Sequence, residues 1–138
     1  MVACTQVLEH IDDELRAFNE LTRILKPSGH LLVTVPHPPA PWPEPAHVRE
    51  GYRLEDLIDL GTRFGVEAIH SDYYLTSSTQ KVIHLAHRFR EKLPALLPLS
   101  ELNYSPDERR RQRPYGILFL YRKLLDGSCP SVQEPVLK

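Results

Sequence analysis

The order of elements in the first 36 residues restricts the fold of this chain more than any other feature. Residues 1–8, MVACTQVL, are apolar or small and read as a short buried strand. Asp12 and Asp13 then open a run with Leu15, Phe18, Leu21 and Leu25 at helical spacing, with Ala17 and Ile24 beside them. That spacing gives an amphipathic helix with one buried face. Asp12 suits its cap, and the acids suit the positive end of the helix dipole. Lys26 suits the other end, Pro27 cannot continue the helix, and Gly29 is expected to take the turn conformation. His30 to Val35, HLLVTV, is a nearly continuous apolar run, the pattern of a strand covered on both faces of a parallel sheet. Strand, helix and strand this close together make a right-handed βαβ unit, so the chain is expected to be α/β.

The remainder extends this pattern. Six prolines between Pro36 and Pro45 impose an extended loop, with Trp42 inside it. Leu54 to Phe64 is helical, with Leu54, Leu57, Ile58, Gly61 and Phe64 on one side and Gly65 as its stop. Val66 to Tyr74 reads as a strand. Ser77 or Ser78 can cap a helix carrying Val82, Ala86, Phe89 and Leu93, ended by Pro94. Ser105-Pro106-Asp107-Glu108 is a capping-box helix start with proline at the first position. Ile117 to Tyr121 is a last buried strand. The segment 126–138 has no periodicity and is expected to be a disordered tail.

Composition narrows the classes of function. The net charge is −1, so no global field attracts nucleic acid or an anionic membrane. Two cysteines, Cys4 and Cys129, form neither a disulfide framework nor a zinc spacing. No apolar stretch approaches a membrane span, and no secretory signal is visible, so a cytoplasmic protein is the expectation.

One ordered set of motifs resembles a known family. An apolar strand is followed by Leu8-Glu9-His10, then Asp12-Asp13, then a helix ending Leu25-Lys26-Pro27-Ser28-Gly29, then a strand ending Val35-Pro36. This is similar to class I S-adenosylmethionine-dependent methyltransferases of the type 11 kind, where the usual forms are LEH and L-K-P-G-G. Ser28 stands at the first of those glycines. His47 to Tyr52, Leu54 to Leu57 and Gly65-Val66-Glu67 resemble the family's helix before strand six, although Val66 replaces a common phenylalanine. Gly116 to Lys123 resembles its terminal antiparallel strand. The resemblance covers roughly residues 1 to 123, with 75–115 as an insertion in a domain of residues 1–125.

The resemblance implies a partial Rossmann-like sheet of strands 4-5-7-6 with flanking helices, and the three N-terminal strands of the seven-stranded fold absent. The six glycines form no G-x-G turn for the cofactor. In the full fold S-adenosylmethionine binds across the switch point between strands one and four, so only one wall of that crevice is expected here, and the first strand is expected to leave an open edge. The implied function is methyl transfer to a small-molecule or lipid-like acceptor, as a truncated or incomplete enzyme. The alternative is a non-enzymatic half-domain, a pseudoenzyme or partner subunit, with another chain supplying or covering the open edge.

Each candidate site residue has two readings. Cys4, Thr5 and Gln6 line the cofactor cleft by resemblance, or form an ordinary strand-to-helix turn. His10 faces substrate or cofactor as a catalytic group, or serves with Glu9 in a helix-entry turn. His37 follows a strand's carboxyl end, where a near-neutral histidine can take a substrate proton; otherwise it is a loop residue beside Trp42. Trp42, His47 and Arg49 contact substrate, with Arg49 meeting an anionic group, or else they pack the loop onto the next helix. His84 and His87 are three apart but have no third ligand at telling spacing, so no metal site is read. The run Arg109, Arg110, Arg111 and Arg113 follows two acids and reads as a solvated helix face rather than a nucleic-acid contact.

Overall fold

The computed structural model describes residues 1–40, 44–76, 79 and 104–125. The expected helix after Ser77, its His84 and His87, Trp42, Cys129 and the tail from 126 lie outside the described residues.

Among the described residues, four strands and three α-helices follow the order anticipated from the sequence: β1 (Val2–Thr5), α1 (Glu14–Arg23), β2 (His30–Pro36), α2 (Leu54–Arg63), β3 (Val66–Thr76), α3 (Pro106–Arg111) and β4 (Pro114–Lys123). The first strand, read over residues 1–8, ends at Thr5, and a 3₁₀ turn, Leu8–His10, begins at the last residue of that reading. The sheet order is β1-β2-β4-β3, with β1 parallel to β2 and β4 antiparallel to both β2 and β3. This corresponds to the strand order 4-5-7-6 of a methyltransferase-like sheet, as expected.

The helix termini explain the element boundaries. Asp13, not Asp12, caps α1, its side chain accepting from the Arg16 N–H at 3.0 Å. Its other end is closed from far away, where Lys123 Nζ donates to the Thr22 and Leu25 carbonyls at 2.8 and 3.0 Å. An ammonium there meets carbonyls at the helix end and the negative end of the dipole. The left-handed turn after α1 falls on Ser28 (φ 57°), not Gly29. Gly29 instead meets a crowding constraint, since a Cβ there would lie 2.7 Å from the Lys26 carbonyl oxygen. Ser105 and Glu108 form the expected reciprocal capping box on α3.

The core lies on one face of the sheet. Leu31, Val33 and Val35 of β2 pair with Tyr121, Phe119 and Ile117 of β4, and all six are fully buried. Phe18 of α1 packs against Tyr121 and, from the end of α2, Phe64, with ring centroids 5.5 and 5.6 Å apart. Leu57, Leu60 and Gly61 of α2 complete this layer. Tyr121 lies beneath α2 and donates its hydroxyl proton to the Leu57 carbonyl at 2.8 Å. A Cβ on Gly61 would sit 2.6 Å from that ring, so α2 rests on Tyr121 only because position 61 has no side chain. The two-faced burial expected for HLLVTV is corrected: Leu32 and Thr34 are only half-buried, because successive side chains of β2 alternate between the helix-covered face and the other one.

Candidate functional site

Because β1, β2 and β3 run the same way, their carboxyl ends meet the start of β4 at one end of the sheet. This is where ligands bind in open α/β sheets. The chain leaves β1 there through Gln6, a non-glycine residue in the left-handed region (φ 52°). Its backbone N–H bonds the Thr34 carbonyl at 2.8 Å, and its side-chain amide donates to the Tyr74 hydroxyl at 2.7 Å. Tyr74 lies edge-to-face with Tyr115, and burial pushes its hydroxyl up to about 12. His37 follows β2, its N–H bonded to the Tyr115 carbonyl and its ring edge-on to Tyr73 at 5.6 Å. Burial, helped by the charge of Arg53, lowers its pKa, so the ring is neutral at pH 7 and able to accept a proton.

Beside this end the 3₁₀ turn holds Glu9 completely buried, at 0% exposure. Its carbonyl accepts from the Val48 and Arg49 N–H groups at 2.9 and 3.2 Å, which ties the proline-rich loop's return to the turn. His47 is thereby carried to His10, their rings 4.7 Å apart and nearly perpendicular. The His10 Nδ1 lies 2.9 Å from the Ala46 carbonyl. That oxygen can only accept, so Nδ1 carries a proton, and the lone pair of the neutral ring is then on Nε2. Neither Glu9 carboxylate oxygen has a hydrogen-bond partner among the described residues. Burial raises its pKa, while its own backbone N–H and the nearby charges of His10 and His47 pull the other way.

The sign of the resulting pH dependence is fixed. The folded state prefers the protonated carboxyl, so the stability that Glu9 contributes is complete below the ordinary carboxylate range. It is lost as pH rises through the folded-state value. Without added metal, Glu9→Gln is therefore expected to stabilise the chain at pH 7 and to be nearly neutral at pH 4. Urea midpoints of the two proteins at both pH values check this; equal destabilisation at both would contradict it.

Arg49 is held within the chain. Its guanidinium contacts the Glu14 carboxylate at 3.0 Å and Asp56 at 2.8 Å, and its Nε–H reaches the Gly51 carbonyl at 3.0 Å. It lies 4.2 Å over the Tyr52 ring, and buried Tyr52 donates to Glu14 at 2.7 Å. The group read as a partner for an anionic substrate thus locks the loop onto α1 and α2. Cys4 is also inward: it pairs with Val33 on the core face and is buried, while Thr5 is exposed. Gln6, His10, His37 and His47 are brought to the same end of the sheet. Tyr74, Tyr115 and the approach of Glu9 to His47 were not singled out from the sequence. Of these, only Tyr74, read as the end of a strand, had a positional signal.

Comparisons with known proteins agree with this architecture. Residues 1–33 match a family model described as a methyltransferase domain. The chain has, in part, the class I S-adenosylmethionine-dependent methyltransferase fold. Its fold is similar to a crystal structure described as a putative sarcosine dimethylglycine methyltransferase from Galdieria sulphuraria, with a TM-score of 0.55 and 16% identity, covering 90% of this chain and 52% of that one. It is also similar to an S-adenosylmethionine-dependent methyltransferase from Mesorhizobium loti, with a TM-score of 0.51 and 16% identity, covering 88% and 60% of the two chains. The [4+2]-cyclase SpnF matches with a TM-score of 0.51 and 19% identity, over 90% of this chain and 49% of the cyclase. The chain thus spans about half to three fifths of these proteins. The search of curated proteins gives no match. Among the described residues, no helix is long and apolar enough to cross a membrane.

Proposed function

We propose that this chain forms the acceptor-side half of an S-adenosylmethionine-dependent methyl-transfer site, acting on a small-molecule or lipid-like acceptor. The observation that carries this reading is the agreement between the family match over residues 1–33 and a sheet whose order reproduces the second half of the methyltransferase fold. The cofactor would supply an electrophilic methyl group. The residues in hand fit only part of it. The turn at Thr5 and Gln6 offers backbone at the correct end of the sheet, but the 138 residues contain no G-x-G turn to approach the methionine end.

What the chain's own residues would do is position and deprotonate. His37 is neutral and sits at a strand end, so it is the group to take a proton from an acceptor hydroxyl or amine. Tyr74 and Tyr115 offer an aromatic wall with polar tips, and Gln6 fixes one of those tips. Methyl transfer is an in-line displacement that depends mainly on such positioning.

A second reading is a non-enzymatic half-domain completed by another chain. The neighbouring cyclase carries a name that is not a methyl transfer, and one fold hosts several functions. Titrating the isotope-labelled chain with S-adenosylhomocysteine and following amide resonances tests the primary reading. Weak binding with shifts confined to Thr5 through His10 is expected. Shifts clustered at the opposite end, around Gly29 and Lys123, or none at millimolar ligand, would overturn it.

A further inference from the structure

We propose that Glu9, His10 and His47 form a binding site for a divalent transition-metal ion of the Zn²⁺ class. One carboxylate oxygen and one ring nitrogen from each histidine all lie within 4.8 Å of one another. Two imidazoles and a carboxylate are the donor set that borderline cations prefer, whereas Mg²⁺ favours oxygen donors. The proposal rests on this geometry and does not depend on the methyl-transfer reading.

The carboxylate decides between a metal site and simple stacking of two histidines. Glu9 is fully buried and neither of its oxygens is bonded among the described residues. An ionised carboxylate withdrawn from water without a partner is costly. Its neighbours are two groups that each bring a lone pair but no fixed positive charge when neutral. A cation between them supplies the missing charge and satisfies all three. The bond from His10 Nδ1 to the Ala46 carbonyl is the kind of outer contact that metal-bound histidines make, and ligation through Nε2 would keep it.

The scaffold is built to hold this cluster. Glu9 and His10 come from one turn, and the Val48 and Arg49 N–H groups fasten the loop of His47 to the Glu9 carbonyl. Arg49 fastens the same loop to Glu14 and Asp56. An ion about 2.1 Å from each ligand atom accepts pairs up to roughly 4 Å apart. The histidines therefore need to close by no more than roughly 1 Å. His10 is exposed and His47 half-exposed, which leaves a path for the ion and open coordination positions on the solvent side. A three-ligand site with open positions binds an oxygen ligand as a fourth partner.

The test uses the full chain with Co²⁺ as an optical probe and Zn²⁺ by calorimetry. The expected result is one Co²⁺ per chain with visible d–d bands, displaced by Zn²⁺. His47→Ala and Glu9→Gln should each weaken binding at least about tenfold, in line with losses seen when metal-site residues are altered. Glu9→Gln is expected to fold at least as well as the parent without metal, so weakened binding in it reports the site and not the fold. Unchanged affinity in both variants would overturn the proposal, because the ion would then be held elsewhere, for example by His84 and His87. Absence of Co²⁺ bands at millimolar metal would overturn it outright, as would Mg²⁺ binding more tightly than Zn²⁺.

Discussion

Phe18→Ala is expected to destabilise the chain by about 3–5 kcal/mol, the range for emptying a buried phenylalanine site. Phe18 is fully buried and touches both Phe64 and Tyr121, so it joins α1 to the end of α2 and to β4. The hole would be bounded by rigid rings on the sheet side, which limits collapse and places the effect toward the upper end. Against a total stability of about 5–15 kcal/mol for a domain, this removes a large fraction. Urea unfolding followed by far-ultraviolet circular dichroism measures it. A midpoint within error of the parent would show that α1 is not held by this contact.

The second large effect is expected at Gly61. Replacing a glycine inside a helix ordinarily gains up to about 1 kcal/mol from propensity. Here a Cβ would lie 2.6 Å from Tyr121 Cε1 and 3.2 Å from the Val66 carbonyl oxygen. Tyr121 is fully buried and its hydroxyl is fixed to the Leu57 carbonyl, so the ring has nowhere to turn. Overpacking of this kind costs about 1–3 kcal/mol, and losing the buried hydroxyl bond adds about 1 kcal/mol. Gly61→Val is therefore expected to lose roughly 2–3 kcal/mol despite its better helix propensity. The cause is separable by a double-mutant cycle. Tyr121→Leu should relieve much of the cost of Gly61→Val, giving strong non-additivity, because the two residues share one contact. Additive losses would place the strain somewhere other than the ring.

The sequence carried the scaffold well because the scaffold is written in local signals. The αβ order, the stop at Gly65 and the Ser105–Glu108 box depend on residues close together in the chain, and the structure has each of them. The LEH and LKPSG motifs pointed to the correct sheet order. Side-chain direction was less legible. Cys4 and Thr5 are adjacent, and only the pairing register shows that Cys4 faces the core with Val33 while Thr5 faces away. The site was least legible where it depends on loop path. His47 reaches Glu9 because two backbone N–H groups bond one carbonyl across a proline-rich excursion, and no periodicity encodes that meeting. Arg49 looked available for substrate because its partners, Glu14 and Asp56, lie on two different helices.

The position of β4 between β2 and β3 has a consequence for how the protein is made. The sheet's third rung in space is its last in sequence, and α1 waits for Lys123 to close its final carbonyls. A chain paused on the ribosome before residue 114 holds β1 beside β2 and α2 beside β3, with an unfilled slot between the pairs. Exposed strand edges of that kind invite association with other chains until the slot is filled. Assembly of this sheet is therefore expected to follow release of β4.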